Sequence, residues 1–248
     1  MSEMEAPLLL RDVLAAEDFG YLPTDDLLFA ILPLLRQVSA LHERGEVAAI
    51  NAMDVVRDAG HTLALRTAQG RFLQENLAAI DRVQPRPASA LNVIGETRVT
   101  VESAEGTNVD NLLVLEGPDP KIVKPVYLPA FGSWELVLRH HDEITDIFQL
   151  GQILACLALG LDFNDPADLK TFASNRQNLF RINPRLSPVV AAVITEMTEL
   201  NRYRRAKVLA PLIQKLETWR DQPVGLDLER LLAEAKGAVG RRTAVLEH

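Results

Sequence analysis

Residues 144–161, ITDIFQLGQILACLALGL, constrain this chain more than any other stretch. After Asp146 the run keeps almost no polar face. Ile147, Phe148, Leu150, Ile153, Leu154, Cys156, Leu157 and Leu159 point in every direction around a helical wheel. A helix that is apolar all round must be enclosed by the rest of a fold. With Asp146, Gln149 and Gln152 inside it, the run falls short of the ~20 apolar residues of a bilayer span. It predicts a central core helix, started at Thr145 or Asp146 and stopped at Gly160. Cys156, the only cysteine, lies in the middle of it. That setting suits a small buried hydrophobe rather than a nucleophile.

The elements needed to surround such a helix can be read along the chain. Pro7 opens a short helix with Leu8, Leu9, Val13 and Leu14 on its apolar side. Thr24 caps a longer one, with Asp25 and Asp26 in its first turn and Gly45 as terminator. Leu27, Leu28, Ile31, Leu34, Leu35, Val38 and Leu41 form its buried stripe, and Pro33 predicts a kink. Residues 47–50, 55–56 and 62–65 read as small strands, with Asp58-Ala59-Gly60 as a hairpin turn. Leu73, Leu77 and Ile80 share a helical face. Residues 84–87 form a linker, and residues 91–128 turn to β patterning. After the core helix, helices are expected over 167–173, over 189–200 behind a Ser187-Pro188 start, over 206–219 and over 226–238.

At 248 residues with 48 % apolar and 24 % charged side chains, the chain suits one large domain or a domain with an appendage. Its net charge of −8 disfavours a broad surface for nucleic acid or anionic membrane. The charge is uneven. Residues 1–70 hold five Lys/Arg against eleven Asp/Glu, and residues 176–220 hold nine against three. An acidic front facing a basic back in the fold accounts for this. The acidic start, MSEMEAPLLL, lacks the basic region of a signal peptide, so a cytoplasmic location is expected. The final Leu246-Glu247-His248 reads as a tag remnant, which implies a domain excised from the front of a longer protein.

Three motifs then narrow the fold. LRQVSALHERG at 35–45, TDIFQLG at 145–151 and MTELNRYRRA at 197–206 occur in this order. They resemble, in turn, the end of the protein-kinase helix that leads into the catalytic loop, the opening of the kinase buried helix, and the Met-Leu-x-x-Asp-Pro-x-x-Arg-Pro stretch beyond it. The resemblance implies a mainly α protein with a small β component: a kinase C-lobe-like helical domain, with the N-lobe absent or severely reduced. It divides the chain into an N-terminal helical segment (1–23), the C-lobe-like domain (24–220) with a β-rich insertion at about 91–128, a C-terminal helix (221–245) and the tag remnant. It implies structural roles for three residues. Asp146 would bond backbone amides of the catalytic-loop region, and Glu135 would pair with Arg205 as the kinase Ala-Pro-Glu glutamate pairs with its arginine.

The same resemblance exposes what is missing. Ile50 stands where the catalytic aspartate belongs, Ala52 where the lysine belongs and Val55 where the metal-binding asparagine belongs. Leu65-Arg66-Thr67-Ala68 replaces the aspartate-led metal motif. No Gly-x-Gly-x-x-Gly or Gly-x-x-x-x-Gly-Lys loop occurs. Phosphoryl transfer needs carboxylates and amides to hold Mg²⁺ and orient the hydroxyl. No catalytic, cofactor-binding or metal residue is therefore assigned, and no cofactor. A narrower similarity rests on residues 124–129, Trp134-Glu135, Asp146, Asn175-Arg176-x-Asn178-Leu179-Phe180 and Met197-Thr198-Glu199-Leu200. It is to kinase-like domains at the front of very large bacterial proteins with a superfamily 1 helicase further on.

The function expected is a catalytically inactive kinase-like domain acting as a protein-interaction or regulatory module, its partner another protein or downstream domains of its own polypeptide. Two alternatives belong to other classes. One is an atypical nucleotide-dependent enzyme drawing acids from Asp54, Asp58 or Asp110. The other is a nucleic-acid-contacting helicase accessory domain, with Arg176, Arg202 and Arg204 as phosphate contacts. His140-His141-Asp142-Glu143 packs potential metal ligands together, but without a distant third ligand it reads as a solvated lead-in to the core helix.

Overall fold

The computed structural model describes residues 7–16, 19–51, 53–67, 69–71, 73–83, 124–222 and 228–236. The protein is mainly α with a small β part. Helix α1 spans Leu10–Leu14 and α2 Thr24–His42. Strands β1 (Leu8–Leu9), β2 (Val55–Arg57) and β3 (Leu63–Leu65) form an antiparallel sheet in that order. Then come α3 (Leu77–Val83), α4 (Trp134–Val137) and α5 (Glu143–Leu159). Helix α6 (Pro166–Asn175), a 3₁₀ turn at Leu179–Arg181, α7 (Pro188–Met197), α8 (Ala210–Glu217) and helical residues 228–236 complete the described residues. Among the described residues no helix is long and apolar enough to cross a membrane.

Helix α5 is the axis of the fold. Every residue from Thr145 to Leu159 is buried. Asp142 rather than Thr145 starts it: its carboxylate accepts the Thr145 amide while the Thr145 hydroxyl faces the Asp142 amide, a reciprocal cap. Gly160 ends it at φ +65°, a left-handed geometry that glycine adopts without penalty. There is no room for a side chain at Gly160 either, since a Cβ would lie 2.5 Å from the Tyr21 nitrogen. The chain crosses this end closely enough for Leu22 to donate its amide to the Leu157 carbonyl at 2.9 Å. Beside the helix, Tyr127 stacks on Phe148 at 5.9 Å and meets Phe172 edge-on at 5.3 Å. The Tyr127 hydroxyl donates to the Thr198 carbonyl at 2.9 Å, and burial raises its pKa.

Several local expectations are corrected. Leu8 and Leu9 do not open a helix; they pair with Arg57 and Val56 as an edge strand, because the β2–β3 hairpin offers them a partner. Leu10, Val13 and Leu14 of this segment belong to the core. Pro23, not Thr24, precedes α2, and no side chain caps it. Helix α2 buries the expected leucine stripe and runs continuously through Pro33. Residues 47–50 are not a strand. Only Val47 pairs, with Arg71, because Ala49 turns left-handed at φ +49° and the neighbouring amides bond a side chain instead. Leu73 lies before α3 and is 44 % exposed. Helix α7 stops at Met197 rather than 200, and α8 starts at Ala210 rather than 206. Ser187 precedes Pro188 without a side-chain cap bond. Of the expected β region 91–128, residues 91–123 lie outside the described residues, as do Ala52, Ala68 and Asp110; within the remainder Tyr127 bridges to Ser133.

Candidate functional site

The buried polar groups concentrate at the N-terminal end of α5, in two adjoining clusters. The first surrounds Asp146, one turn into the helix and fully buried. Its Oδ2 accepts the Ala48 amide at 2.7 Å and its Oδ1 the Ala49 amide at 2.9 Å. His42 Nε2 lies 3.0 Å from Oδ2, and His141 Nε2 lies 2.7 Å from Oδ1. Burial alone would raise the carboxyl pKa, but His141, His42 and the Ala48 amide outweigh it and hold the group below its usual range. One side chain thus ties together the end of α2, the loop after it and the lead-in to α5.

The second cluster is built on Glu135, delivered by the short helix α4. Arg205 Nη1 donates to both Glu135 oxygens at 3.0 and 3.2 Å and to the Ile144 carbonyl at 3.1 Å. Arg205 Nε donates to the Glu199 carbonyl at 2.8 Å, and its guanidinium lies 4.4 Å from the centre of the Phe148 ring. The Thr145 hydroxyl donates to Glu135 at 2.7 Å. Arg202 lies 3.4 Å from Glu135 and forms an ion pair with Asp142, the α5 cap. Burial pushes the Glu135 carboxyl up, and Arg205 and Arg202 more than reverse it, leaving it below its usual range. Asp142 is likewise held low, with His140 and Arg202 overcoming its burial.

The sequence-predicted residues divide accordingly. Asp146 meets the amides that follow α2, and Glu135 meets Arg205, so these three come together around one helix end. Arg202 and Arg176 do not face outward. Arg202 is spent on Asp142 and Glu135, while Arg176 donates to the Thr195 carbonyl at 2.7 Å and pairs with Glu199 at 3.4 Å. Of the three proposed phosphate contacts only Arg204 is exposed. His140 and His141 are buried rather than solvated, a correction with a clear cause. A buried Asp146 requires donors, and His140 Nδ1 accepts the Asn76 amide at 2.9 Å. The residues missed were His42 and Thr145. A histidine at the end of an amphipathic helix, with a lone aspartate in the core helix to satisfy, was the available signal for the first.

Where the resemblance locates the catalytic aspartate and the metal-binding asparagine, the side chains are apolar. Ile50 is 1 % exposed and Val55 is buried. The Ile50 carbonyl accepts from Gln149 of α5. Asp54 is occupied by Asn51, whose amide donates to it at 3.1 Å, and Asp58 by Thr62, whose hydroxyl donates at 2.8 Å. Both acids close local turns. Among the described residues no three His, Cys, Asp or Glu side chains are grouped to hold a metal ion.

Comparison with protein-family models and with curated proteins finds no match. What can be said about function therefore comes from the two clusters and the loop they hold. Asp146 keeps backbone amides in fixed positions, and the Glu135–Arg205 pair locks residues 199–205 to α4. A buried ion pair of this kind fixes one arrangement of the chain more than it adds net stability.

Proposed function

We propose that this chain is a catalytically inactive kinase-like domain that acts as a protein-interaction or regulatory module, the front part of a larger bacterial helicase-type protein. The succession of α2, loop, β2–β3 hairpin, α4, buried α5 and helical tail supports this reading. So do the contacts of Asp146 with the loop amides and of Glu135 with Arg205. The observation that carries the inactive half is Ile50, an apolar side chain 1 % exposed at the position that corresponds to the catalytic carboxylate. An sp³ hydrocarbon neither accepts a proton from a hydroxyl nor holds Mg²⁺. The nucleic-acid alternative loses support because Arg176 and Arg202 are committed to internal partners. In the enzyme alternative, Asp54 and Asp58 are committed to turns, and Asp110 lies outside the described residues.

Thermal denaturation with and without Mg-ATP tests the reading. A nucleotide present at a hundred times its Kd stabilises by about 2.7 kcal/mol. In a domain of this size that corresponds to a rise of roughly 5–10 °C. The expected result is an unchanged Tm. A saturable, magnesium-dependent rise of several degrees overturns the proposal.

A further inference from the structure

We propose that the cavity bounded by one face of the β-sheet, α1 and the first turns of α2 binds an apolar carboxylate: one anionic head on a hydrocarbon body. It lies toward the C-terminal end of α5, which contributes Leu157 to its wall, away from the buried polar clusters. The register of the sheet builds one side of it. Leu8 pairs with Arg57 and Arg57 with Leu63, so the three side chains stand in one row on one face. All three line the cavity, which holds about 590 Å³, within the usual range of small-ligand clefts. Val13 of α1 and Phe29 and Ala30 of α2 close other sides. Leu8 is 51 % exposed and Phe29 62 %, so the mouth presents to water two large apolar side chains that a ligand would cover.

The charge at the centre of the row selects the head group. Arg57 is half-buried between two leucines, and among the described residues no carboxylate or other acceptor meets its guanidinium. A guanidinium is a planar fork that a carboxylate meets with two parallel hydrogen bonds, and apolar surroundings strengthen both. His61 brings a second nitrogen donor to the same cavity; the hairpin turn holds it at φ +64°, its amide donating to the Asp58 carbonyl at 3.0 Å. Two acids also line the cavity. Asp12 pairs with Arg11 at 3.2 Å, and Asp26 is exposed in the first turn of α2, where the helix end favours its charge. The charge left unmet is therefore positive, and the walls around it are apolar.

Octanoate, titrated into the full chain by calorimetry, is the probe. Octanol and octyltrimethylammonium are its comparisons, the same hydrocarbon with no charge and with the opposite one. The expected result is saturable binding of octanoate with both comparisons at least about tenfold weaker, since neither accepts a charge-assisted pair of hydrogen bonds from Arg57. Arg57→Gln should bring octanoate down to the level of octanol and leave octanol unchanged. Phe29→Ser should weaken octanoate and octanol alike, by about threefold or more, through the apolar cover it removes. Because Phe29 is exposed, that variant decides the site even where loss of Arg57 disturbs the sheet. No binding of octanoate at millimolar concentration, or octanol or octyltrimethylammonium binding as tightly, overturns the proposal. Octanoate binding undiminished in Arg57→Gln or in Phe29→Ser overturns the assignment to this cavity.

Discussion

Replacing Asp146 with asparagine keeps the shape of the side chain and removes its charge and half of its accepting capacity. The native carboxylate accepts two backbone amides, at 2.7 and 2.9 Å, and faces two imidazoles, at 3.0 and 2.7 Å. The single carbonyl oxygen left by Asp146→Asn can serve only one side of this arrangement. On the other side the new NH₂ group meets the N–H of Ala48 or of Ala49. The adjacent histidine can adapt by switching tautomer and accepting, but a backbone amide cannot. One buried N–H is therefore left unpaired, costing about 1–3 kcal/mol, and the surviving bonds lose their charge assistance, about 1 kcal/mol more. We expect a loss of about 3 kcal/mol. That is a substantial share of the ~5–15 kcal/mol typical of a folded domain. Urea unfolding should show the midpoint lowered by roughly 1 M. Hydrogen exchange at the Ala48 and Ala49 amides should accelerate about a hundredfold, the factor that ~2.7 kcal/mol represents. A loss below about 0.5 kcal/mol, or unchanged protection of those two amides, would refute the reasoning.

Arg205→Met leaves Glu135 buried beside Arg202 alone, and should cost about 3 kcal/mol; the double variant with Glu135→Gln should recover part of it, as a double-mutant cycle in urea will read. Gly151→Ala gains roughly 1 kcal/mol of helix propensity but drives a Cβ to 2.5 Å from Met197 Cβ and 3.2 Å from the Met197 carbonyl carbon. Strain against the α7 backbone should win, lowering Tm by a few degrees, and a raised Tm would contradict the packing. For pH, Asp146, Glu135 and Asp142 all titrate below their usual range in the native state. The unfolded chain, with carboxyl groups near pKa ~4, then binds protons first as the solution is acidified. Their contribution is complete above about pH 5 and is lost as pH falls through the native values. The urea midpoint should therefore drop between about pH 6 and about pH 3, and a flat or rising profile would count against these assignments.

The central helix was legible because no amphipathic alternative exists for ITDIFQLGQILACLALGL, and the β2–β3 hairpin because Asp58-Ala59-Gly60 separates two β-branched or apolar runs. Other features depended on contacts far apart in sequence. Residues 47–50 have the apolar character of a strand, yet they are buried by α5 and held by Asp146, nearly a hundred positions away. Leu8 and Leu9 have helical spacing with Val13, but a strand edge waits for them in the hairpin. His140 and His141 look like a hydrated pair beside two acids. Their burial follows from where Asn76 and Asp146 lie, which no local pattern contains. The cavity beside Arg57 was equally invisible, since its walls meet only once α1, α2 and the hairpin face each other.

Gly160 has a practical meaning for anyone shortening this protein. Its bare α-carbon is the seat on which Tyr21 rests, and Leu22 is fastened to the helix beside it. Trimming the chain to begin at Thr24 would unroof the lower end of α5 and strip Leu10 and Leu14 from the interior at the same time. Residues 7–16 and 19–23 are the floor of the building, and a fragment lacking them should come out of the cell aggregated.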